Sequence, residues 1–188
     1  MKPESGHTET IGVAHKLDDK TTVAASYFWS ELHDAIKWAP DAAGVWTPSN
    51  VNYERKHGIE LSIQKKFDER WSVDAAYSYA NVNIQSPDGV EAARIARNQA
   101  PNTYRVGVHF RQGPWKANLM GTIGSGLERD YYTTSSYTLI DFNASYDITK
   151  NLTAYFKANN LTNQEYQVYP GTYPGKGRFF QIGLTCSF

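Results

Sequence analysis

The final stretch, Arg178-Phe179-Phe180-Gln181-Ile182-Gly183-Leu184-Thr185-Cys186-Ser187-Phe188, alternates apolar with small or polar side chains. Alternation of period two marks a strand and is incompatible with the 3.6-residue period of a helix. It puts Phe180, Ile182, Leu184, Cys186 and Phe188 on one face and Gln181, Gly183, Thr185 and Ser187 on the other. One greasy face and one small, wettable face suit a strand standing between lipid and an aqueous lumen. The expected fold is all-β, an antiparallel transmembrane barrel portion.

The rest of the chain carries the same pattern. About nine alternating segments can be marked, each near the roughly 9–11 residues a tilted transmembrane strand needs. They begin near Thr8, Thr21, Val51, Trp71, Asn102, Trp115, Tyr137, Leu152 and Arg178. The predicted lipid-facing rows include Ile11 and Val13, then Val23 to Trp29, Ile59 to Ile63, Val73 to Tyr79, Val106 to Phe110, Ala117 and Leu119, Ile140 to Tyr146, and Ala154 to Ala158, taken at every second residue. The opposite rows carry Glu60, Gln64, Asp74, Ser78, Arg105, His109, Lys116, Asn118, Asp141, Asn143, Asp147, Lys157 and Asn159, too polar a set for a dry sandwich core.

The connections alternate in kind. Asp18-Asp19-Lys20, Asp68-Glu69-Arg70, Gln112-Gly113-Pro114 and Thr149-Lys150-Asn151 read as tight turns, whereas 35–50, 86–101, 127–136 and 165–177 are long. Bacterial outer-membrane barrels keep short turns in the periplasm and long loops outside, with an even strand number in single-chain barrels. Nine strands, the first entering from outside, therefore predict further strands upstream and a chain that is the C-terminal part of a larger barrel.

Composition agrees and excludes other classes. A mean hydropathy of -0.57 and the absence of any run of roughly 18 apolar residues rule out spanning helices. Tyr 13 and Trp 5 against Phe 8 favour rings with a polar handle, which settle at lipid–water interfaces. Lys+Arg 19 balances Asp+Glu 19, so no overall positive field recommends a nucleic-acid partner. The single cysteine, Cys186, falls on the lipid row and reads as a small hydrophobe. Met1-Lys2-Pro3-Glu4 lacks the apolar core of a secretory signal, so the expectation is a removed signal or a piece of a longer chain.

The terminal strand, together with the preceding Asn159-Asn160-Leu161-Thr162-Asn163-Gln164-Glu165-Tyr166, resembles the end of a TonB-dependent outer-membrane receptor. Lys2-Pro3-Glu4 followed by Thr10-Ile11-Gly12-Val13 resembles a mid-barrel entry into a strand of that family. The resemblance implies a plug domain ahead of a barrel of about 22 strands, and residues 1–188 as the C-terminal barrel segment with the plug and upstream strands absent. It also implies loops that capture a siderophore, haem or cobalamin outside the cell, TonB acting through the plug, and barrel-assembly machinery acting on the C-terminal strand, whose signature residues are Phe180, Ile182, Leu184 and Phe188.

No catalytic constellation stands out. His7, His15, His33, His57 and His109 are scattered, and none lies in a zinc-hydrolase His-Glu-x-x-His arrangement. Gly124-Ser125-Gly126 and Gly175-Lys176-Gly177 lack phosphate-loop spacing and read as flexible strand ends. Asn143-Ala-Ser, Asn151-Leu-Thr and Asn160-Leu-Thr match glycosylation sequons by chance in a bacterial-type barrel. Asp74, Asp141 and Asp147 have no nucleophile and base beside them and read as a wet lumen wall.

Binding chemistry concentrates in the long loops. Trp38 and Trp46 lie in the first, Arg94 and Arg97 in the second, Tyr131 and Tyr132 in the third, and Tyr166, Tyr169 and Tyr173 in the last. Rings offer rigid area to planar or catecholate-like ligands and arginine forks to anionic oxygens, although a girdle or loop-packing role accounts better for several of them. Val90–Arg97 has the composition of a short helix. The expected function is uptake of an iron complex or cobalamin, without a cofactor or covalent chemistry. A passive channel and a barrel hydrolase are the alternatives.

Overall fold

A computed structural model of the protein describes residues 1–40, 45–50, 53–85, 100–130, 132–169 and 173–187. Among them there is no helix. Nine strands form one antiparallel meander in the order β1-β2-β5-β6-β7-β8-β9-β10-β13. They are β1 (Ser5–Asp18), β2 (Thr21–His33), β5 (Tyr53–Lys66), β6 (Trp71–Gln85), β7 (Asn102–Gln112), β8 (Trp115–Ser125), β9 (Ser136–Thr149), β10 (Leu152–Asn159) and β13 (Phe179–Cys186). Each start falls within three residues of the sequence expectation.

The register joins the expected rows. Val23, Ile63, Ala75, Val106, Gly121 and Ile140 stand side by side across six strands, and Leu119, Phe142, Ala158 and Phe180 continue across the last four. On the other face run Ser26, Glu60, Ser78 and Thr103, and in a second row His109, Asn118, Asn143, Lys157 and Gln181. With a side-chain period of two, a one-residue slip anywhere would mix the faces. Among the described residues nothing covers the apolar face: Ile182 is 85% exposed on one edge strand, and Val106 49% and Leu119 44% within the sheet. This is the surface that lipid covers.

Aromatic pairs mark the edges of that band. Trp71 meets Phe110 at 4.7 Å and Trp115 meets Tyr146 at 4.6 Å near the short turns, and Tyr77 stacks on Tyr104 at 4.8 Å nearer the loop end. Strands tilted near 40° advance about 2.5 Å per residue along the membrane normal, so the six steps from Trp71 to Tyr77 span about 15 Å and the eight to Tyr79, next on the same row, about 20 Å, within the apolar height of about 25 Å of such barrels. The 14- and 15-residue strands β1, β5 and β6 are longer than a crossing requires. Their loop-side ends, with that of β2, rise above the band, and there the outward row turns polar, with His7, Glu31, Arg55, His57 and Asn81. Glu31 accepts from Arg55 at 3.1 Å.

The turns are tight for a local reason. The Asp68 carboxylate accepts from the amides of Arg70 (2.7 Å) and Trp71 (2.8 Å), which hold it below the usual carboxylate range.

Two long loops depart from the sequence expectation by containing strands: β3 (Ile36–Pro40) pairs with β4 (Trp46–Asn50), and β11 (Gln167–Tyr169) with β12 (Tyr173–Pro174). Beyond the sheet these segments have no other ladder to join, so their amides and carbonyls pair within the loop. Prolines such as Pro48 are tolerated because a two-stranded ribbon is all edge. The small buried apolar cluster, Ala35 and Ile84 with Leu32 and Val82, lies where the first of these ribbons meets the sheet.

Candidate functional site

The loop end is where chemistry-bearing side chains gather, and polar ties fasten it to the sheet. Asn50 at the end of β4 exchanges hydrogen bonds with the Lys2 backbone, its Oδ1 accepting at 2.6 Å and its Nδ2 donating at 2.9 Å. The Ile36 amide donates to Glu4 Oε2 at 3.1 Å. Glu54, 4% exposed on β5, ion-pairs with Lys37 of the ribbon (2.5 Å) and with Lys56 of its own strand (2.6 Å). A nearly buried carboxylate between two ammonium groups resists separation, so the ribbon is held to the wall. Trp38, on this ribbon, is 63% exposed.

The last two loops are joined to each other. Leu127 and Tyr132 are buried in the first of them, at 6% and 3% exposure, and Leu127 N–H donates to the Ser135 carbonyl at 3.1 Å. Thr133 N–H donates to Gln167 Oε1 of the final loop at 2.8 Å. The Tyr137 and Tyr166 rings lie 5.2 Å apart. Tyr137 covers Gly124 and Tyr166 covers Gly175, so a Cβ at either glycine would strike the ring. The two Gly-x-Gly stretches expected to be flexible ends are thus packing sites for neighbouring tyrosines. Tyr173, on the far strand of the final ribbon, is 63% exposed.

The other sequence candidates divide by position. Trp46 and Tyr169 lie in the ribbon strands β4 and β11. Arg94, Arg97 and Tyr131, the helical expectation for Val90–Arg97, and Phe188 lie outside the described residues. Trp38 and Tyr173 project from separate ribbons, whereas Tyr132 is packed within its loop. Phe180, Ile182 and Leu184 stand on the exposed apolar face of β13. Residues to which the sequence reading assigned no site role are Asn160, Gln167 and Glu54. Of these Asn160 had a signal, since it sits in the stretch that carries the family resemblance.

On the lumen face the side chains form hydrogen-bonded chains across strands. His109 contacts Asp74 through Nε2 and Asn118 Oδ1 through Nδ1 (2.7 Å), and Asn118 donates to Asn143 Oδ1 at 2.9 Å. Asp147 accepts from Lys116 (2.7 Å) and Thr153 (2.9 Å). Among the described residues no group of three or more His, Cys, Asp or Glu is arranged to hold a metal ion. The wall is wettable and cross-linked.

Known proteins share this fold. The family model for the TonB dependent receptor-like β-barrel matches residues 1–161. The vitamin B12 transporter BtuB of Vibrio vulnificus is 25% identical over 190 residues, covering 95% of this chain and 29% of the transporter. The ferric-pyoverdine BN7/BN8 receptor of Pseudomonas putida is 30% identical over 172 residues, covering 86% of this chain and 20% of the receptor. Among solved structures, the FrpB iron transporter of Neisseria meningitidis (F5-1 variant) superposes with a TM-score of 0.77 at 18% identity, covering all of this chain and 32% of that one. The copper transporter OprC gives 0.75 at 19%, again over 32% of its length. At those identities the superpositions speak for the fold alone. The chain spans less than a third of the length of these relatives. With apolar outward rows, polar lumen rows and alternating turns and loops in place, the chain belongs to the TonB-dependent receptor-like β-barrel family, whose proteins lie in the bacterial outer membrane.

Proposed function

We propose that residues 1–188 are the C-terminal barrel segment of an outer-membrane receptor that imports a scarce iron complex, siderophore or haem, or cobalamin. The observation that carries the reading is the two-faced nine-strand sheet, with short turns at one end and anchored, aromatic-bearing loops at the other. Relatives named for vitamin B12 and ferric pyoverdine support the cargo classes. Their greater length, and the free edges of β1 and β13 within the described sheet, support upstream strands and a plug domain. In this reading TonB acts through the plug, and β13, followed by Phe188, is presented to the barrel-assembly machinery.

Mechanistically the segment supplies wall and rim. The lumen face keeps the passage wet, the lipid face holds the barrel in place, and the described loop segments that are tied to the sheet and to each other meet the ligand with less ordering still to be done. No bond is made or broken, which sets this reading apart from a barrel hydrolase. The test is direct binding of ferric siderophores, haemin and cyanocobalamin to the purified full-length protein. Replacing Arg94 and Arg97 together by Ala should weaken binding about tenfold or more through lost charge-assisted hydrogen bonds, with barrel assembly intact. Binding of none of these probes by the wild-type protein would refute the reading in favour of a passive channel.

A further inference from the structure

We infer that Asn160 is the positioning residue for the last two loops, 126–135 and 160–178, fastening both to β9 as a single unit that faces ligand. The inference rests on the receptor reading for its ligand part only. Asn160 is 4% exposed, and its backbone is left-handed, with φ 50°. Asparagine adopts that conformation at low cost, and the amide side chain offers two donors and an acceptor that takes two bonds.

All of that capacity is used. Nδ2 donates to the carbonyls of Gln164 (2.9 Å) and Lys176 (3.0 Å), and Oδ1 accepts from the Gln164 amide (2.9 Å) and the Thr162 hydroxyl (3.2 Å). One side chain therefore ties the outgoing limb of the final loop to its returning limb. Its own N–H donates to Asp141 Oδ1 on β9 at 2.7 Å. Leu161 N–H reaches the Ile140 carbonyl at 2.8 Å, a further tie to that strand, and the single Thr162 hydroxyl proton is shared between Asn160 Oδ1 and the Thr138 carbonyl, both at 3.2 Å. Asn163, also left-handed at φ 50°, accepts the Arg178 amide at 3.0 Å.

From this base the order passes to the neighbouring loop. Gln167 holds the Thr133 amide, and Tyr166 packs on Gly175 and against Tyr137. Aspartate at 160 would set a carboxylate against two carbonyls, and glycine would keep the backbone but lose all four side-chain bonds. The strand ladder does not depend on these bonds, because β10 pairs with β13 as far as Asn159 and Phe179 on its own amides and carbonyls. Assembly and loop order can thus be separated experimentally.

The experiment uses the full-length protein with spin labels at Ser135→Cys and Lys176→Cys, its other cysteines replaced, and measures the inter-label distance by pulsed electron resonance. The inference predicts one narrow distance in the parent, a broad distribution in Asn160→Gly and an intermediate one in Asn160→Asp, with the barrel still heat-modifiable. An unchanged narrow distribution in Asn160→Gly would overturn it. If Asn160→Gly fails to assemble, Gln167→Ala decides: it cuts only the Thr133 link and should broaden the same distance, and an unchanged distance would refute the coupling. Against whichever of ferric enterobactin, ferric pyoverdine, haemin or cyanocobalamin the wild type binds, Asn160→Gly should lose about tenfold in affinity or more and Asn160→Asp less. Broadened loops with unchanged affinity would overturn the positioning role. Absence of binding in the wild type would instead count against the receptor reading, leaving the distance measurement to decide the coupling.

Discussion

Arginine placed at Phe142 should unfold the barrel where arginine one residue later should not. Phe142 lies on the lipid row between Leu119 and Ala158, with the Phe156 ring 6.3 Å away. It is four residues along β9 from Tyr146 of the turn-side aromatic girdle, or about 10 Å into the apolar band at about 2.5 Å per residue. A guanidinium near the midplane costs roughly 2–4 kcal/mol, and loss of the ring pair adds about 0.5–1.5 kcal/mol. The sum, about 2.5–5.5 kcal/mol, lowers the folding equilibrium constant by about two to four decades. Asn143→Arg keeps its charge in the lumen and loses the Asn118 hydrogen bond, worth about 0.5–1.5 kcal/mol. The same contrast holds between Leu184→Arg and Thr185→Arg on β13, since Thr185 stands beside Thr153 on the lumen face. The assay is refolding of the full-length protein into lipid vesicles across a urea series, scored by heat-modifiable mobility. Equal losses at 142 and 143 would show that the faces have been assigned the wrong way round.

The free edges of β1 and β13 predict that residues 1–188 expressed alone aggregate or stay detergent-bound, because lipid cannot satisfy unpaired edge amides and carbonyls; a monodisperse, heat-modifiable monomer would contradict this. Gly124→Ala should tilt the Tyr137 ring off the sheet and destabilise by about 1–3 kcal/mol, read as a lower urea midpoint of the full-length protein, whereas Gly121→Ala, whose Cβ meets only the Val106 carbonyl at 3.9 Å, should leave the midpoint nearly unchanged. Glu54→Gln weakens the ties to Lys37 and Lys56, at a cost of about 1–3 kcal/mol, and should raise protease cleavage between Pro40 and Trp46 without altering assembly.

Much of the fold was legible because a membrane barrel writes its period of two into every strand. Ile59, Leu61 and Ile63 against Glu60 and Gln64 fix a face without any knowledge of neighbours, and Asp18-Asp19-Lys20 or Gln112-Gly113-Pro114 fix the turn. What escaped the sequence depends on which residues become neighbours across strands. His109 meets Asp74 only because β6 and β7 pair with Ser72 opposite His109. Gly124 looked like a flexible end until Tyr137 was set on it, and Asn160 looked like part of a chance sequon until Gln164 and Lys176 converged on its amide. The loop ribbons were hidden because their pairing answers unmet backbone hydrogen bonds rather than a hydrophobic pattern.

The central claim, an energised receptor barrel rather than a passive pore, is tested most directly by cellular accumulation of labelled ferric siderophore, haem or cyanocobalamin through the full-length protein, in matched cells with and without TonB. The account predicts saturable uptake of one of these compounds at submicromolar concentration that disappears when TonB is deleted. Uptake that persists undiminished without TonB and rises linearly with concentration would contradict it.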